Sequence, residues 1–218
     1  MLGKGMTISK KRVIKILKAN NCEAKYGRKK LVRNVYTNKD ERYIAENLTK
    51  GVVATAQNQV CHTDFTELKY DGGKLYVSGI IDAYARTAVL KWGDKASKEL
   101  ARDTIGLLSS LPEILHSDRG SQYTSNLMRE YCEANDIKRS MSAPYCSREN
   151  AYIESFWKTL KIEIGETKHL TKYELIMVLE YWIDYYNNER IHSSINYLTP
   201  VSFATLSRAS PTKCGKAA

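Results

Sequence analysis

From Val60 onward, three β-strands follow one another at intervals too short for a crossover, and this constrains the fold more than any other stretch of the chain. Val60–Leu68 is rich in apolar and β-branched residues and reads as the first strand. Asp71–Gly72–Gly73–Lys74 reads as a hairpin turn. Leu75–Asp82 is a second strand, Tyr84–Arg86 turns the chain, and Thr87–Trp92 is a third. Strands joined this closely pair antiparallel. The pattern then changes to helix over Lys98–Ser109, with Ser97 as its cap. Pro112 leads into Glu113–His116, a short apolar strand reached through that helix and therefore parallel to a neighbour. A helix over Ser125–Asn135, a strand over Ile137–Met141 and a helix from a Ser147 cap to Glu163 follow. This order predicts an α/β protein: a mixed five-stranded sheet with helices to cover both faces.

Beyond it, Thr171–Lys172–Tyr173–Glu174 is a capping box, with Leu170 and Leu175 placed as a hydrophobic staple. The helix it opens carries Leu175, Leu179, Trp182 and Tyr186 on one face. Before the strands, Ser9 is placed to cap a short basic helix, Lys10–Ala19. The expected division is a basic arm over 1–50, a core over 51–165 and a C-terminal helix and tail over 166–218.

Charge separates the arm from the rest. The chain carries +10, and residues 1–50 hold fourteen Lys or Arg against four Asp or Glu, whereas the remainder is balanced. A basic arm on a neutral body suits a polyanion such as DNA or RNA. Five scattered cysteines form no C-x-x-C pair, which argues against a disulfide framework or a zinc finger. No run is long and apolar enough for a membrane span, and the N-terminus lacks a secretory apolar stretch, so a cytoplasmic protein is expected.

Three acids stand in unusual settings. Asp64 lies inside the first strand, where aspartate is disfavoured. Asp118 follows directly on the apolar strand, at the carboxyl end where open sheets bind ligands. Glu154 lies within a helix between apolar neighbours. Carboxylates are the ligands that magnesium prefers, and a pair of metals roughly 4 Å apart suits phosphoryl transfer. With 24 acids in the chain, spacing alone does not select this triple.

The surrounding blocks do. HTDFTEL, GIIDAYAR, HSDRGSQYTS, SMSAPYCSRENAYIESFWKTLKIE and YNNERIHSSINYLTP occur in that order. Together they resemble the retroviral-integrase-like core of bacterial insertion-sequence transposases, the second-frame catalytic product of two-frame elements. The resemblance runs from about Asn47 to Phe203, and the thirty-five residues between Asp118 and Glu154 match that family's spacing. It implies a ribonuclease-H-like fold, in agreement with the element order. It also implies Asp64, Asp118 and Glu154 as a catalytic triad binding Mg²⁺ or Mn²⁺ as two ions. The implied reaction is hydrolysis of a phosphodiester at an element end, then attack by the freed 3′-hydroxyl on another. Implied partners are DNA, further copies of the chain and a first-frame helix-turn-helix protein or fusion.

Around the triad, Lys158 and Lys161 lie four and seven residues after Glu154, on its helical face, and are candidate DNA contacts. Arg119 and Arg148, with Lys10, Lys11 and Arg12 of the arm, are candidate phosphate contacts. His116 reads as a packed strand residue, Asp82 as a turn cap, and Trp157 and Trp182 as core. Tyr123 and Asn150 either line the site or support it, and His192 either touches DNA or makes a structural hydrogen bond. Two features depart from the family. Cys61–His62 stands where a tryptophan two residues before the first aspartate is usual, and only the last helix of a helix-turn-helix region is recognisable before the core. The second departure keeps a rival open, a truncated, non-catalytic DNA-binding remnant that interferes with full-length transposase. A ribonuclease-H-type nuclease is the other rival.

Overall fold

The computed structural model describes residues 43–144 and 146–209, together with Arg12, Lys15, Ala19 and Asn20. The chain divides into two compact units, Met1–Asp40 and Glu41–Ala218. In the first, Arg12, Lys15 and Ala19 are helical and exposed, in keeping with the basic helix expected there. Lys10 and Lys11 lie outside the described residues.

The second unit is built on one five-stranded sheet. Its strands are β1 (Val60–Tyr70), β2 (Gly73–Asp82), β3 (Ala88–Gly93), β4 (Ile114–Ser117) and β5 (Lys138–Met141), arranged β3-β2-β1-β4-β5. β1, β2 and β3 pair antiparallel, and β4 and β5 run parallel to β1. The mixed sheet read from the sequence is therefore the sheet the chain forms. The hairpin is tighter than expected: Tyr70 pairs with Gly73, leaving Asp71–Gly72 as a two-residue turn in which Gly72 takes φ 83°.

The helices are α1 (Lys98–Ile105), α2 (Asn126–Ala134), α3 (Ala151–Ile164), α4 (Lys172–Asn188) and α5 (Pro200–Ala209). Side chains alternate across the sheet, so each strand feeds two cores. On one face Leu68, Leu75, Val77 and Leu90 pack against Ile153, Phe156 and Trp157 of α3 and Leu175, Leu179, Trp182 and Tyr186 of α4. On the other, Cys61, Ile80 and Leu115 pack against Ala101 and Ile105 of α1 and Met128 and Cys132 of α2. Both layers expected from the sequence are present. Among the described residues no helix is long and apolar enough to cross a membrane.

Capping explains most helix boundaries. Ser97 and Ser125 accept from Leu100 N and Met128 N, and Thr171 and Glu174 form the reciprocal box. Two boundaries differ from the expectation. α1 stops at Ile105 with Gly106 as its C-cap, four residues before Ser109. Ser147 does not open α3; it begins a 3₁₀ turn, Ser147–Asn150, and the α-helix starts at Ala151. Asn150 occupies the cap position without a side-chain cap bond, because its amide is turned inward to His62 and Thr63.

Candidate functional site

The parallel register of β1 and β4 sets the two aspartates side by side. His62 pairs with His116; two residues on stand Asp64, inside β1 and facing the same side as His62, and Asp118, one residue past the end of β4 and near enough for its charge to act on Asp64. α3 crosses that face. Trp157 drops its indole onto β1, and its Nε1 donates to Asp64 Oδ2 at 3.2 Å. Glu154 lies three residues earlier on the same helical face, so the contact that docks the helix also delivers the third acid.

The indole fits because of a glycine. Gly79 is the residue of β2 paired with Asp64. A Cβ there would fall on the six-membered ring of Trp157, 2.8 Å from Cζ2. The position must stay bare for the ring to reach the aspartate.

Electrostatics marks Asp64 as the unusual acid. Its carboxyl is pushed up to about 6, chiefly by burial, with the charges of Asp118 and Glu154 adding to the rise. The backbone N–H of Phe65 and the indole of Trp157 work in the opposite direction. Asp118 is exposed, and its Oδ1 accepts from Gly120 N at 2.8 Å. Glu154 is also exposed. Among the described residues none of the three acids is paired with a lysine or arginine. Nor do any three His, Cys, Asp or Glu side chains among them stand close enough to enclose an ion as they lie. The donor chemistry nevertheless fits a hard divalent cation: oxygen ligands from three elements, crowded into mutual repulsion and unneutralised.

The support beneath the acids is polar and buried. His62 Nδ1 bonds Asn150 Oδ1 at 2.9 Å, and Asn150 Nδ2 donates to Thr63 O. The His62 ring packs 4.8 Å from Tyr152 and 5.1 Å from His116. His62 thus fills the place where the family usually has tryptophan, and ties β1 to the start of α3. His116 is fully buried and bonded to Ser140 and Ser142, so it is a packed strand residue. Tyr123, also buried, meets Thr63 Oγ1 at 3.2 Å and supports the site from the opposite face. Asp82 accepts from the backbone N–H groups of Asn58, Tyr84 and Ala85, a turn-capping role that occupies its carboxylate.

Lys158, Lys161, Arg148 and Arg119 are all exposed, and Arg119 Nε donates to Ser142 O. Among the described residues neither lysine pairs with a carboxylate. Trp157 and Trp182 are core residues, as expected, but the reach of Trp157 to Asp64 is new. Its offset of three from Glu154 was the signal. Asn187, from the YNNERIH block, pairs its side-chain amide with both backbone groups of Ala88 and fastens α4 to the edge strand.

The order and directions of the strands are those expected of an integrase-type core, and comparison with known proteins agrees on the fold and the family. The integrase core domain family matches residues 54–147, and a second family with the same description matches residues 135–200. A transposase for insertion sequence element IS904 from Lactococcus lactis is 32% identical over 209 residues, covering 91% of this chain and 81% of the relative. The chain belongs to the insertion-sequence transposases with an integrase core domain. Solved structures of lower identity share the fold. The simian T-cell lymphotropic virus intasome in complex with PP2A regulatory subunit B56 gamma gives a TM-score of 0.64 at 16% identity, over 82% of this chain and 64% of that one. The HTLV-2 integrase catalytic core domain in complex with magnesium gives 0.50 at 18% identity, over 69% of this chain and 98% of that one.

Proposed function

We propose that this chain is the catalytic subunit of a transposase that cleaves DNA at element ends and joins the freed 3′-hydroxyl to a target phosphodiester. The observation that carries the proposal is that the charges of Asp118, just past β4, and Glu154 of α3 both act on Asp64 of β1, with no lysine or arginine paired to any of the three among the described residues. These three residues would hold Mg²⁺ or Mn²⁺, as two ions. When bound, the metal supplies charge stabilisation for the attacking and leaving oxygens of phosphoryl transfer. The magnesium of the HTLV-2 core structure supports that choice.

The chain's own groups do the rest. Trp157 orients the Asp64 carboxylate through Oδ2. Lys158 and Lys161, unpaired with any carboxylate among the described residues, present ammonium groups one and two turns along the helix from Glu154, where they position the phosphates of a DNA end. Arg119, next to Asp118, and Arg148, exposed in the turn before α3, offer further phosphate contacts. His62 and His116 are committed to buried hydrogen bonds, which leaves water or the 3′-hydroxyl as the nucleophile. The arm over 1–50, with Lys10, Lys11 and Arg12, anchors further phosphates. Assembly on paired ends as a homo-oligomer, with a first-frame helix-turn-helix protein or fusion, completes the proposal. The setting is the cytoplasm.

The test is nicking and strand transfer of labelled element ends by the purified chain with magnesium, alone and with the first-frame protein. Asp118→Asn is expected to abolish nicking while DNA affinity stays within about twofold. Nicking retained by that variant excludes Asp118 from the metal site, and a wild-type chain inactive in both settings refutes the catalytic reading.

A further inference from the structure

A cleft of about 710 Å³ runs along the flank of α3, bounded by the end of α4 and the loop after it. Its floor includes Ser155 and Thr159 of α3, each next in sequence to a residue of the Glu154–Lys158 stripe. Its walls include two arginines, Arg86 and Arg190, together with Tyr152 and His192, and among the described residues no carboxylate lines it. Arg86 lies in the tight turn between β2 and β3 at φ 64°, a conformation few arginines adopt. Its guanidinium stacks 4.3 Å over the Tyr152 ring, and its Nε is buried without a hydrogen-bond partner. That atom is out of reach of the cleft, so Arg86 meets the cleft through the rest of its side chain, stacked on Tyr152. Arg190 is held in place by Glu163 at 2.8 Å and rests against His192.

We infer that this cleft binds a phosphodiester of the DNA strand leaving the carboxylate site, with Arg86 as the principal contact and the hydroxyls of Ser155 and Thr159 along the backbone. Stacking on Tyr152 fixes the plane of the guanidinium, which suits it to oxygen acceptors. From Ala151 to Thr159 the helix advances about 12 Å, enough to accompany more than one phosphate from the catalytic acids outward. His192 and Arg190 then close the far wall. The assignment rests on the DNA-binding reading given above, and gives DNA a second footing on the core apart from Lys158 and Lys161.

The experiment is fluorescence anisotropy of the full chain with labelled element-end DNA across a salt series. Ser155→Glu places a carboxylate in the cleft from an exposed helix position, where glutamate is a good helix former. It is expected to weaken binding about tenfold. Arg86→Gln is expected to lower the slope of log affinity against log salt by about one, the signature of one lost phosphate contact. If Arg86→Gln does not fold, Ser155→Glu decides alone. Wild-type binding that these variants leave unaltered overturns the cleft and leaves the DNA reading standing. A wild-type chain that binds no DNA overturns both.

Discussion

An aspartate in the middle of a strand is costly unless its carboxylate is supported, and here the support comes from the backbone N–H of Phe65 and the indole of Trp157. Trp157 Nε1 reaches Asp64 Oδ2, and the same ring fills the core between α3 and the sheet. Trp157→Phe keeps an aromatic but removes the donor. It is expected to lower unfolding stability by about 2 kcal/mol, from the hydrogen bond and the cavity left by the smaller ring. Nicking should fall while DNA affinity holds. Urea denaturation and a nicking assay on the same preparation separate the two losses, and wild-type nicking by the variant would mean that the indole does not orient the acid.

At the scale of elements, the last long helix depends on its first turn. Thr171 accepts from Glu174 N, and Glu174 Oε2 accepts from Thr171 N. Thr171→Ala is expected to cost about 1 kcal/mol, seen as a lower denaturation midpoint at unchanged slope. This box was legible because capping is local chemistry written in four consecutive residues. The directions of the first four strands were legible for a similar reason, since connection length decides between parallel and antiparallel. The start of α3 was not, because Asn150 is drawn inward by His62, eighty-eight residues away. The candidate site divides in the same way. Its three acids could be singled out by setting and by block order, but the roles of Gly79 and Arg86 depend on which rings the fold brings to them. Local sequence does not record that.

At the scale of the whole molecule, the fold holds several histidines neutral. His62, His116 and His192 are each lowered to about 4, in every case first by burial, and His192 also by Arg190 and Arg86. Between about 4 and 6.5 the unfolded chain takes up protons at these positions that the folded chain refuses. Stability is therefore expected to fall as pH drops through that window. Asp64, raised to about 6, and Asp82, also raised by burial, act in the opposite sense, two groups against three. Urea midpoints at pH 7 and pH 5 give the sign, and His192→Gln should reduce the difference. A chain more stable at pH 5 than at pH 7 would mean that the histidines charge freely in the fold.

The bare strand position at Gly79 has a consequence for heredity. Residues 79 and 157 can change only as a pair, because any side chain at the first evicts the ring at the second. In a population of copies drifting under mutation, one added methyl group at Gly79 would push the indole away from Asp64, and a survey of the acids alone would score that copy as unchanged. The most exacting position in this site supplies no atom to its chemistry.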